Sequence, residues 1–151
     1  VKALKLKDNW KNAQEIALKW KPDAVLFLVR ATQVKEDGTV DATGADDAGF
    51  VLYGFYSASQ EKEDAEKACL EVTIIGGEIK TSPLTSETAA KKALPENALD
   101  FDKIVAAGKA NGQDEWPAML ELLYPADAPD SAVWMVNVWL SFDAISGSVK
   151  E

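Results

Sequence analysis

Histidine is absent from this chain of 151 residues, and cysteine occurs once, as Cys69. Those two absences remove several chemistries at once. A zinc site of the usual cysteine and histidine kind lacks its ligands, and neither a Ser-His-Asp triad nor a Cys-His pair can be assembled. One thiol cannot close an internal disulfide, and without an imidazole to activate it Cys69 is expected to be a structural thiol in a strand. Long apolar runs are also missing. The longest candidates, residues 24–29 and 132–136, are strand-sized and far short of the roughly 20 residues that span a bilayer, so membrane insertion is not expected. Positive charge is in deficit, with 16 basic against 25 acidic residues and a formal net charge of -9. Such a chain repels phosphate backbones and anionic headgroups, which argues against a nucleic-acid partner. Lys2, Lys5, Lys7, Lys11, Lys19 and Lys21 are dispersed along the first segment, as on a solvated helix face.

Apolar side chains make up 47% of the residues, enough for a real core in one domain or in two half-domains sharing a sheet. Trp10, Ala13, Ile16, Ala17 and Trp20 recur at steps of three and four and predict a helix over 9–20, with Asp8 as N-cap and Pro22 as terminator. Over 24–33 the period falls to two, predicting a strand with Val25, Phe27, Val29 and Ala31 on one face. Asp37-Gly38 opens a long connection rich in Asp, Gly, Ala and Thr, expected to be solvated. Strands are predicted over 50–57 and 68–75, while the charged stretch 58–67 suits either a short surface helix or an ordered loop. Residues 87–94 are helix-prone between Pro83 and Pro95. A second helix over 101–111 is capped by Asp100, with Leu99 and Ile104 placed as a hydrophobic staple, and strands follow over 118–124 and 133–142.

The two halves of the chain close on similar segments. Residues 72–80 read VTIIGGEIK and residues 142–150 read FDAISGSVK, so Ile75/Ile145, Gly77/Gly147 and Lys80/Lys150 align without a gap. The second segment, Asp143, Ala144, Ile145, Ser146, Gly147, Ser148 and Val149, resembles the Asp-Ala-x-Thr-Gly-x-Val closing pattern of the PepSY family, with Ser146 in place of threonine. The first, from Thr73 to Ile79, matches it at the glycine and the apolar ends, and the helix leading into Pro22, Asp23 and Ala24 looks like the family's opening. Two such copies would cover most of the chain, as in proteins with a fold like that of the beta-lactamase inhibitor protein. The second copy departs from the first in running from 133 to 142 without an extra hairpin. The resemblance implies an extracytoplasmic, periplasmic or secreted, module that binds or restrains another protein, commonly a peptidase, and it brings no catalytic residues with it.

The expected fold is therefore α+β: two similar halves of a helix plus antiparallel strands, residues 1–82 and 100–151, joined by a linker over 83–99 with a short helix, the helices on one face of the sheet. The expected function is non-enzymatic protein binding or inhibition, with no cofactor, no metal and no catalytic residue. Alternatives are a small carboxylate-dependent hydrolase, using pairs such as Asp100/Asp102, Asp127/Asp130 or Glu115/Glu121, and a structural or ligand-carrying domain. Asp37, Asp41, Asp46 and Asp47 crowd one connection, but their spacing is not that of an EF-hand, and a hydrated acidic loop is the simpler reading. Trp10, Trp20 and Trp134 fall on core stripes. Trp139, with Asn137 and Ser141 on the other face of its strand, is expected to form a binding surface with Met135 and Tyr56. A covering layer over that face is the competing expectation.

Overall fold

A computed structural model describes residues 4–43, 48–85 and 87–150. The protein is α+β. Its helices are α1 (Trp10–Trp20), α2 (Ala58–Glu63) and α3 (Phe101–Ala110), and its strands are β1 (Val25–Val34), β2 (Val51–Tyr56), β3 (Cys69–Ile75), β4 (Glu78–Pro83), β5 (Ala118–Leu123), β6 (Val133–Val136), β7 (Leu140–Asp143) and β8 (Val149–Lys150). All eight described strands join one sheet in the order β4-β3-β2-β1-β5-β6-β7-β8, each pairing antiparallel. Outward from the central β1/β5 pair, each side of the sheet is a meander whose strands follow chain order.

The main core joins helix stripes to alternate strand residues. Trp10, Ala13 and Ala17 of α1 and Phe101, Ile104 and Val105 of α3 belong to one buried cluster with Val29, Tyr53, Phe55, Val72, Leu120, Trp134 and Phe142. Phe101 meets Trp134 edge to face, with centroids 5.7 Å apart and planes at 74°, a geometry worth about 0.5–1.5 kcal/mol beyond the area it buries. A smaller cluster of Phe27, Leu28, Leu52, Leu84 and Ala89 lies apart from it.

Four local expectations are corrected. First, β1 does not alternate throughout: a bulge between Leu26 and Leu28 places Leu26, Val29 and Ala31 in the main core and both Phe27 and Leu28 in the smaller cluster. Second, Asn9 rather than Asp8 precedes α1, and it makes no side-chain cap; the Asp8 carboxylate instead accepts from the Lys5 amide at 2.9 Å. Third, 87–94 is not helical. Leu84 and Ala89 lie on the smaller cluster, and the amides of Leu84, Ala90 and Leu94 donate to the carbonyls of Cys69, Tyr124 and Leu26. Its helix-forming residues serve as a strap, because apolar contacts and these bonds outweigh weak local propensity. Fourth, 133–142 is not one strand but the hairpin β6–β7, turning at Asn137 and Val138.

The charged stretch 58–67 resolves into α2, capped by the Ser57 hydroxyl, and a 3₁₀ turn over Ala65–Lys67. The first long connection is less solvated than expected, since Val40 bridges to Leu4 and both Val40 and Ala42 are buried. Gly38, at φ 79, lies so close to α3 that an added Cβ would meet the Asp102 Cα at 2.5 Å. Gly44, Asp46 and Asp47, part of the proposed acidic loop, lie outside the described residues.

Candidate functional site

The β6–β7 hairpin builds the candidate site. Val136 accepts from the Trp139 amide at 3.2 Å, and the two residues between them have positive φ, 48° at Asn137 and 70° at Val138. Both central residues on the left-handed side is what a type I′ turn demands, and Asn-Gly is the pair that does it without strain. Here the second place is held by valine, whose branched Cβ makes that conformation costly. The turn is nonetheless pinned: the Asn137 amide donates to the Met119 carbonyl, and the Asn137 carboxamide oxygen accepts from the Met119 amide, at 2.9 and 2.8 Å.

The pinned turn displays apolar side chains. Val138 is 62% exposed and Trp139 58% exposed. Trp139 is held at its polar end, where the indole Nε1–H donates to the Gln113 Oε1 at 2.8 Å. Gln113, itself buried, also donates to the Glu115 carbonyl at 2.6 Å, so the acceptor is fixed from behind. Beside Trp139 a groove of about 660 Å³ is lined by Met135, Val133 and Ser141 and bounded by Asp127, Asp130 and Lys150.

Of the three residues expected to act together, the structure brings Met135 and Trp139 into this groove and leaves Tyr56 out of it. Tyr56 ends β2, pairs with Val25 and Cys69, and packs on the smaller cluster. Its strand is three places from β6, about 14 Å at the usual spacing of strands. Burial, followed by the bond to Glu61, raises the Tyr56 hydroxyl above its ordinary pKa. Trp139 stands at the hairpin tip rather than on a strand face, and Val138 is exposed beside it. The supporting role of Gln113 carries no sequence signal, because the contact spans 26 positions and depends on where α3 ends.

Of the other candidate groups, Asp100, Glu121 and Cys69 are placed elsewhere. Asp100 caps α3 and accepts from the amides of Phe101 at 2.7 Å, Leu6 at 2.8 Å and Lys7 at 3.3 Å. Glu121 pairs with Arg30 at 2.9 Å, and Arg30 also reaches Glu87 at 3.3 Å. Cys69 lines a separate cavity with Glu61, Glu87 and Lys91, and burial pushes its thiol up, towards the protonated form that is a poor nucleophile. Among the described residues no group of three or more acids or thiols is placed to hold a metal ion, and no helix is long and apolar enough to cross a membrane. In comparisons with known proteins, no family model, curated protein or solved structure matches the chain at significant similarity.

Proposed function

We propose that the chain is a non-enzymatic, extracytoplasmic protein-binding or inhibitory module made of two similar PepSY-like halves, 1–82 and 100–151, joined by 83–99. Its topology supports the two halves. α1 precedes the meander β1 to β4, α3 precedes β5 to β8, and Gly77 and Gly147 both fall between the third and fourth strands of their series. The shared cluster of α1, α3 and alternate strand residues supports helices packed on one face.

One observation carries the functional reading: Trp139 is more than half exposed, yet its ring is oriented by Gln113 and its backbone by a strained, pinned turn. Strain that persists on a surface calls for a use, and a fixed, open tryptophan beside a methionine is the composition of an interface centre. In this proposal no side chain is catalytic. Asp100 and Glu121 already serve backbone amides and Arg30, and the extracytoplasmic setting rests on the closing motif.

Site-specific photocrosslinking tests the reading. A benzophenone side chain at position 139 is expected to give a discrete adduct with a protein of the host's extracytoplasmic fraction, and one at exposed Leu18 is not. Equal labelling from both positions, or none from 139, contradicts it.

A further inference from the structure

We infer, resting on the protein-binding reading, that the groove beside Trp139 receives a cationic polypeptide segment, with a lysine or arginine side chain laid over the open indole and its charge turned towards Asp127 and Asp130. Three observations lead there. Asp127 and Asp130 are exposed on the groove's rim, and no described residue pairs with either. Several carboxylates elsewhere are occupied: Asp23 by Ser57 and Ser59, Asp100 by three amides, Asp143 by the amides of Ile145 and Ser146, Glu121 by Arg30. Two free aspartates on the rim of a groove that also holds Val133, Met135 and Trp139 leave a local negative potential that the net charge of -9 reinforces.

Aromatic rings elsewhere show the pairing that Trp139 lacks. Lys7, Lys91 and Lys92 lie over Trp10, Phe27 and Tyr124 at 4.3, 4.6 and 4.4 Å from the centroids, whereas no described lysine is seated over Trp139. Tryptophan is the strongest of the aromatic partners for a cation, and the Met135 side chain offers an adaptable apolar bed for the aliphatic stem. Lys150, the cation on the groove's wall, stands by Asp143, whose carboxyl is held below its ordinary range first by the Ser146 and Ile145 amides and further by Lys150. An anionic segment would meet the aspartates and is disfavoured. A plain apolar segment would leave them desolvated without a partner.

The test is an NMR titration of the indole Nε1–H signals with hexa-arginine, hexa-glutamate and an uncharged leucine-serine hexapeptide, at low and physiological salt. Hexa-arginine is expected to shift the Trp139 signal saturably. Trp139→Ala is expected to weaken its binding about tenfold, and the double variant D127N/D130N to weaken it and flatten its salt dependence. Circular dichroism and urea unfolding of each variant establish that the fold persists, and Trp139→Phe supplies a milder variant that keeps an aromatic face. Arginine binding indifferent to both tryptophan variants would be diffuse attraction to an acidic protein and overturns the inference. Equal binding of the uncharged peptide at the Trp139 signal overturns the cationic partner while leaving protein binding standing. A concentration-dependent dimer that shields Trp139 would make a second copy the occupant and likewise overturns it.

Discussion

At position 138 the backbone and the side chain disagree. Valine in the left-handed region places its branched Cβ against the following carbonyl, and at 62% exposure it recovers little burial in return. Val138→Gly creates the Asn-Gly pair suited to the turn, and is expected to stabilise the fold by about 0.5–1 kcal/mol after the entropy of the added glycine is counted. A urea melt measures it; a loss of stability would mean that Val138 makes contacts its exposure does not suggest. Tryptophan assignment from the sequence succeeded where periodicity was decisive, since Trp10 and Trp134 are buried and Trp20 packs on the core. Trp139 is open, but for a different reason than strand alternation, because its place was set by a turn whose only sequence mark is Asn137.

At the level of elements, the Asp100 carboxylate links α3 to the segment before α1. It satisfies one orphan amide of the helix and two amides of the chain near residues 6 and 7, while the Tyr53 hydroxyl donates to the Leu6 carbonyl at 2.7 Å. Asp100→Ala removes the cap and leaves the buried Leu6 amide without its acceptor, and is expected to cost about 2–3 kcal/mol in chemical unfolding. A cost below about 0.5 kcal/mol would place the segment's anchorage elsewhere. Both long helices were legible from their apolar stripes, and α3 also from its Asp100 cap, although the cap expected of Asp8 at α1 did not form. The bulge at Phe27 was not, since two consecutive apolar residues fit either face until the neighbouring strands fix the register. Residues 87–94 misled for a related reason: helix propensity is worth tenths of a kcal/mol per residue, less than the strap's apolar contacts and backbone bonds.

Across the whole molecule, sheet order is the quantity the sequence left open. Tyr56 and Met135 each carry an alternation signal, but only the order β2-β1-β5-β6 reveals that they lie three strands apart. The same order gives the α+β sheet its two meanders and leaves the hairpin tip free. The surface charge has a thermodynamic consequence. Asp23, Asp37 and Asp143 are held below the ordinary carboxyl range by hydrogen bonds, first from the Ser57 hydroxyl, the Thr39 hydroxyl and the Ser146 amide respectively. Between the folded and unfolded pKa values the unfolded chain binds more protons, so stability rises with pH in that window. Their contribution is present above the unfolded value near 3.8 and disappears as pH falls through the lower folded values. Urea midpoints between pH 7 and 2 are expected to drop mainly below about pH 4, less steeply in Asp23→Asn, and an unchanged slope in that variant would contradict the role given to Asp23.

Trp139 stands open at the hairpin tip rather than in a core, and urea unfolding of Trp139→Ala tests that directly. The bond to Gln113 and a partly exposed ring are all that the variant gives up, so the expected loss is about 1 kcal/mol or less. A loss of about 3–5 kcal/mol, the cost of truncating a buried aromatic, would contradict it and return Trp139 to the interior.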